Sequence, residues 1–176
     1  MAQIKAILFD LGGTIVHEYH QGEPRPSEPI VFPNVREVVQ RLADRFALAI
    51  VSNTVTAGSQ ELREILQATG LDSYFVFVLA SAEEGVAKPD PEIFTRALTR
   101  LGLTAHEVLM IGNRISRDIL GGNRIGIQSI LVWHQEETHH LDDKIARTDE
   151  ERPVAMVQSF LELEQVILQL SEETGG

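Results

Sequence analysis

The sequence predicts an α/β protein built on a doubly wound parallel sheet of about five strands with helices on both faces. Three observations carry that expectation. Apolar runs at residues 4–9, 47–51, 74–79, 108–111 and 127–132 are continuous rather than alternating, as expected of strands covered on both sides. The segments between them place apolar residues at helical spacing. Cap residues and glycines stand where those helices would begin and end.

In chain order, the first run is followed by an irregular stretch at 16–33. It contains Pro24, Pro26, Pro29 and Pro33 and the polar rings of His17, Tyr19 and His20, and reads as a small flap. Val35, Val38, Val39 and Leu42 then mark a helix, with Asn34 and Glu37 as its expected capping box. A second helix follows the 47–51 strand, on Leu62, Ile65 and Leu66, and Gly70 is placed to terminate it. After the 74–79 strand, Asp90-Pro91 supplies a cap and a first-turn proline for a third helix. That helix buries Ile93, Phe94, Ala97, Leu98 and Leu101, with Gly102 at its end. Gly126 ends the helix before the fifth run. Residues 135–152 are mostly charged and read as a solvated loop with room for a short helix. A last helix near 157–170 carries Val157, Phe160, Leu163, Ile167 and Leu170, a core stripe for which a homodimer contact is the alternative use. No internal repeat interrupts the pattern, so residues 1–176 are expected to form one domain without a large insertion.

Composition narrows the function. With 176 residues, no cysteine and only strand-length apolar runs, the chain suits a reducing cytoplasm and offers no membrane span. A formal charge of -11 and a pI near 4.9 argue against nucleic-acid binding, which needs a basic surface. Phosphate recognition is therefore expected in a small pocket. In a doubly wound sheet that pocket lies beyond the carboxyl ends of the strands.

Each of the first four strand ends carries polar chemistry. Asp10-Leu-Gly-Gly-Thr14 follows the first, Ser52-Asn53-Thr54 the second, Lys88-Pro-Asp-Pro the third, and Gly112-Asn113 with Asp118 the fourth. A carboxylate nucleophile, oxygen-binding donors, a positive charge and further oxygen ligands are what phosphoryl transfer beside a divalent cation requires. The text ILFDLGGT, AIVSNT, VAKPDPEIF and MIGNRISRDILGGNRIG, in that order over residues 4–132, resembles the four motifs of the haloacid dehalogenase (HAD) superfamily. The resemblance implies a Rossmann-like core. The motif spacing leaves room for the flap at 16–33 but for no large cap, so the pocket should be open to a bulky substrate or to a neighbouring subunit.

Residue by residue, the resemblance implies that Asp10 is the nucleophile, forming an aspartyl phosphate, and that Lys88 neutralises charge on it and on the phosphate. Thr14, Ser52, Asn53 and Lys88 would bind or orient the phosphoryl group. Asp10, Gly12 through its carbonyl, Asn113 and Asp118 would hold Mg2+. Two positions depart from the family pattern. Gly12 replaces the aspartate that normally serves as general acid and base, and Asn113 replaces a magnesium-binding aspartate, keeping an oxygen donor but no charge. His17, Glu18 and His20 on the flap are candidates to supply the missing proton transfer.

The expected activity is therefore that of a magnesium-dependent phosphatase acting on a small or larger phosphomonoester. The alternatives are a catalytically weak phosphate- or partner-binding protein and a metal-free haloacid dehalogenase. His134, His139 and His140 lack a completing ligand pattern and are expected on the surface. Trp133 is expected to pack, while Arg114 and Arg117 are either anion ligands or solvated.

Overall fold

The computed structural model describes residues 3–19, 23–24, 26–135 and 139–173. Its centre is β1 (Ala6–Phe9), followed by α1 (Val35–Ala43), β2 (Ala47–Ser52), α2 (Ser59–Ala68) and β3 (Phe75–Ala80). The short α3 (Ser81–Glu84) and longer α4 (Pro91–Leu101) lead to β4 (Val108–Gly112). A π-helical turn at Ile115–Ile119 runs into α5 (Leu120–Arg124), and β5 (Gln128–Val132), β6 (Ala155–Val157) and α6 (Phe160–Glu173) complete the chain.

All the strand pairings are parallel, in the order β3-β2-β1-β4-β5-β6. The sheet thus has six strands rather than the five expected. The sixth, β6, pairs Ala155–Val157 with β5, and its three residues are too few to show a period in the sequence. Its outer residue Met156 is 45% exposed, as suits an edge.

The continuous apolar runs are explained by burial on both faces. Ile7, Phe9, Leu48, Ile50, Leu109 and Ile111 point into a core shared with α1, α2 and α6, whereas Ala6, Leu8, Ala49, Val51 and Met110 meet α4. The terminal stripe of Val157, Phe160, Leu163 and Ile167 belongs to the first of these cores.

The local signals held at most helix ends. Asp90 accepts the Glu92 N–H at 2.9 Å with Pro91 in the first turn. Gly70, Gly102 and Gly126 take positive φ where helices end. The expected capping box at Asn34 is absent: Asn34 adopts φ 62 and its side chain makes no cap hydrogen bond, because the chain enters α1 from the flap in a left-handed turn. The flap's stem is tied by hydrogen bonds from His17 N to Ile30 O and from Phe32 N to Ile15 O, with Val16 bridging Val31.

The 135–152 stretch also departs from expectation. Residues 141–144 form a 3-10 turn whose Lys144 is 1% exposed and donates to the Asn113 carbonyl. Asp143 accepts from Ser116 N, Ser116 Oγ and Arg114 Nε, each at 2.8 Å. This charged run is therefore a brace against the loop after β4, and Arg114 is paired rather than solvated. Within the described residues, no helix is long and apolar enough to cross a membrane.

Candidate active site

β1 and β4 are neighbours from which the chain winds outward in opposite directions, and the crevice beyond their carboxyl ends is the natural ligand site. Asp10 follows β1 directly, and its N–H continues the ladder to Ile111 O at 2.9 Å. Its carboxylate is therefore placed by the sheet. Lys88, from the loop between α3 and α4, reaches Asp10 Oδ1 at 2.7 Å, Asp118 Oδ1 at 2.7 Å and Val51 O at 2.6 Å. It hydrogen-bonds Asp10 and Val51 O and forms an ion pair with Asp118.

The Lys88 side chain is 1% exposed. Burial works against its charge, yet the carboxylates of Asp10 and Asp118 outweigh burial and hold its pKa above the ordinary lysine value. Asp118 responds in the opposite sense. Its burial, reinforced by Asp10 and opposed by Lys88, pushes the carboxyl up to about 6. The three groups form one charge cluster in which Lys88 balances the two acids.

Asn53 accounts for the position of Lys88. Its Nδ2 donates to Lys88 O and its Oδ1 accepts from Lys88 N, both at 2.8 Å. The side chain expected to bind phosphate thus clamps the lysine loop first, with one amide hydrogen left for another acceptor. Ser52, at the end of β2, is 6% exposed and lines the same pocket. Thr14 is fully buried and is not part of the pocket lining. Its Oγ1 lies 3.5 Å from Asp10 Oδ2, at the outer limit of a hydrogen bond, so it faces Asp10 rather than the cavity.

Two glycines make room for the rest of the site. A Cβ on Gly13, whose φ is +74, would stand 2.1 Å from Asn113 Nδ2. One on Gly112 would stand 2.2 Å from Asp118 Cγ. Bare backbone at both positions makes room for the Asn113 and Asp118 side chains. Asp118 sits on the π-helical turn and also accepts Arg114 N at 2.9 Å.

Asp10, Gly12, Glu18, Ser52, Asn53, Lys88, Asn113, Arg114, Arg117 and Asp118 line one small polar pocket of about 50 Å³. Most of the residues expected at the site from sequence therefore converge on this space. For a metal ion, Asp10, the Gly12 carbonyl and the Asn113 amide offer oxygen donors suited to a hard cation. With Asp118 held by Lys88 and Arg114 N, Asp10 is the principal charged donor, and among the described residues no group of three acidic, histidine or cysteine side chains forms a metal cluster. The donor chemistry fits a weakly held cation such as Mg2+.

Of the flap histidines, His17 does not line the pocket. His17 stacks on Phe32 at 4.0 Å between ring centroids, and His20 lies outside the described residues. His134, expected at the surface, is instead 4% exposed. It stacks on Phe32 at 3.6 Å, faces Phe160 at 5.9 Å, and its Nε2 hydrogen-bonds the Thr14 carbonyl at 2.9 Å. The polar ring is buried because a backbone acceptor and two aromatic faces receive it, a combination invisible in sequence. His139 remains partly exposed beside Glu23, at 2.8 Å, while His140 and Trp133 are partly buried. Arg117 is exposed on the pocket rim.

The site residues missed by sequence reasoning are Asp143 and Lys144, which brace the loop carrying Asn113 and Arg114. Their only signal was a charged triplet in a charged run.

Comparison with known proteins decides the family. The family model described as haloacid dehalogenase-like hydrolase matches residues 24–126, more than half of the chain, beginning downstream of Asp10. The chain belongs to this family of hydrolases.

Among similar proteins, the ribulose-1,5-bisphosphate 5-phosphatase of Halopiger xanaduensis is 29% identical over 136 residues, covering 69% of this chain and 56% of that one. The glyceraldehyde 3-phosphate phosphatase of Methanothermobacter thermautotrophicus is 33% identical over 129 residues, covering 73% and 54% respectively. The chain thus spans about half the length of the curated relatives it matches. A solved structure from Listeria monocytogenes serotype 4b superposes with a TM-score of 0.76 at 25% identity, over 96% of this chain and 99% of that one. The fold shared with that structure extends over nearly the whole chain.

Proposed function

We propose that this chain is a phosphatase that cleaves phosphomonoesters through an aspartyl phosphate on Asp10. The observation that carries the reading is the buried contact of Lys88 with Asp10 at 2.7 Å, at the mouth of a polar pocket between β1 and β4. Lysine held there faces the carboxylate with a positive charge and offsets the charge of an incoming phosphoryl group. The relatives named as phosphatases support the same chemistry.

In this mechanism the Ser52 hydroxyl and the remaining Asn53 amide hydrogen donate to phosphoryl oxygens. Thr14 and Lys88 fix the Asp10 carboxylate for in-line attack. The P–O bond to the leaving group breaks as the Asp10 O–P bond forms, and water then releases phosphate and restores Asp10. Asp10, the Gly12 carbonyl and Asn113 would hold Mg2+, with Asp118 supporting them; when bound, the ion supplies charge neutralisation at the phosphoryl oxygens. A pocket under only a small flap would suit a phosphorylated group on a substrate of any size in a cytoplasmic setting.

A second reading, binding without efficient turnover, is favoured by the neutral Asn113 and the missing side chain at Gly12. Hydrolysis of a phosphate-ester panel with and without magnesium, run beside Asp10→Asn, separates the two. Turnover that requires both magnesium and Asp10 supports the phosphatase. Phosphate binding with no turnover across the panel supports the second reading and overturns the first.

A further inference from the structure

Resting on the phosphatase reading, two proton transfers need a carrier: one to the leaving alkoxide and one from the water that releases phosphate. The described pocket is lined by three acids, Asp10, Glu18 and Asp118. Asp10 is the nucleophile. Asp118 is 1% exposed and paired with Lys88 and Arg114 N. Lys88 is buried, hydrogen-bonded to Asp10 and Val51 O and ion-paired with Asp118, and the two arginines do not give up protons near neutrality. Glu18 differs from all of these. It is exposed at the base of the flap and, among the described residues, makes no hydrogen bond or ion pair.

Its position is specific. A Cβ built on Gly12 would meet Glu18 Cβ and Cγ at 3.8 Å and its carboxyl carbon at 3.9 Å. Glu18 therefore lies over the empty side of Gly12, in the space that an acidic side chain growing from position 12 would enter. Those distances are ordinary van der Waals contacts, so the flap has delivered a carboxylate across the chain to a place the backbone leaves vacant. The stem that holds it there is short and tied: Gly13 N donates to Val16 O and His17 N to Ile30 O.

We infer that Glu18 is the general acid and base of this site, acting from the flap in place of a side chain at position 12. In the first step an Asp10 oxygen bonds to phosphorus and the P–OR bond breaks. Protonated Glu18 gives its proton to the departing oxygen, releasing ROH. In the second step the Glu18 carboxylate takes a proton from water as that water's oxygen bonds to phosphorus. The Asp10 O–P bond breaks, inorganic phosphate leaves, and Glu18 is protonated again. The net reaction consumes one water per ester.

The test compares wild type, Glu18→Gln, Asp10→Asn and the double variant Gly12→Asp with Glu18→Gln, all with magnesium, on glycerol phosphate and on radiolabelled acetyl phosphate. Acetate needs no proton to leave, so the first step survives in Glu18→Gln while the second is slowed. The expected results are a fall of about 10²–10⁴ in glycerol phosphate turnover and accumulation of hydroxylamine-labile label on the protein from acetyl phosphate. Placing an acid at position 12 in the double variant should clear that label. Because Glu18 is exposed, circular dichroism of Glu18→Gln should match wild type. Unchanged glycerol phosphate turnover overturns the assignment, as does an equal slowing of labelling itself, which would make Glu18 a phosphate-binding aid. If wild type and Asp10→Asn behave alike on both substrates, the phosphatase reading fails and this inference with it; if only Glu18→Gln is silent, that reading stands alone.

Discussion

At the scale of single residues, the cluster of Asp10, Lys88 and Asp118 dominates. Replacing Lys88 by Met leaves two buried carboxylates without their cation and should cost about 3–5 kcal/mol in urea unfolding. The sign of the pH dependence follows from the raised pKa of Lys88. Its stabilisation is complete below the ordinary value of 10.5 and is lost as pH rises through the higher folded value. Wild type should therefore lose stability above pH 10.5, and Lys88→Met should lack that component of the loss. Asn113 tests the proposed metal site. Asn113→Asp adds a charge beside the cation at nearly constant volume; at an effective dielectric of about 20 such a charge is worth a few kcal/mol. Magnesium affinity measured by calorimetry should rise at least about tenfold. An unchanged affinity would place the cation elsewhere.

At the scale of elements, the sheet supplies precision and the surrounding turns supply access. Gly112 ends β4 where Asp118 folds back over it, so Gly112→Ala pushes a methyl into a buried carboxylate at 2.2 Å. Under the proposed phosphatase activity, turnover should fall by roughly the 10² expected when a positioned group is misplaced by about 1 Å, with far-ultraviolet dichroism retained. The stack of His17, Phe32, His134 and Phe160 fastens the flap and α6 to the end of β5. His134→Ala removes both stacking faces and the bond to Thr14 O, and should cost about 2–4 kcal/mol by urea denaturation. His134→Phe keeps the stack and should cost only about 1 kcal/mol. Equal losses would mean that the hydrogen bond, not the rings, secures the flap. These elements differ in how far sequence exposed them. α4 announced itself through Asp90-Pro91 and its apolar spacing, whereas the 3-10 turn at Leu141–Lys144 had no period to show.

At the scale of the whole molecule, the site spans the junction between the two halves of the sheet. Asp10 follows β1, Ser52 ends β2 and Asn113 follows β4, so the candidate site draws on both halves. Parallel pairing across β1 and β4 should make the halves unfold together. The single tryptophan, Trp133, follows β5 on one side, which allows a direct check. Its fluorescence and the far-ultraviolet dichroism should report coincident urea transitions, with a slope of about 2–3 kcal/mol per molar. Separated transitions would show two independently stable units.

By itself the sequence determined the alternation of buried strands and amphipathic helices, because continuous apolar runs and helical spacing are local properties written along the chain. It also brought Asp10, Ser52, Lys88, Asn113 and Asp118 to one rim, since parallel strands put all their carboxyl ends on the same side. What tertiary structure decided depends on contacts between segments distant in sequence. His134 is a core ring only because Phe32, Phe160 and the Thr14 carbonyl meet it; Asn53 is a clamp only because the Lys88 backbone lies opposite; Asp143 and Lys144 are braces only because their turn meets the loop after β4. The location of Glu18 beside Gly12 is of the same kind. Pattern within a chain predicts which faces are buried, but the partner of a polar group is fixed only when folding brings a complementary donor or acceptor within hydrogen-bonding distance.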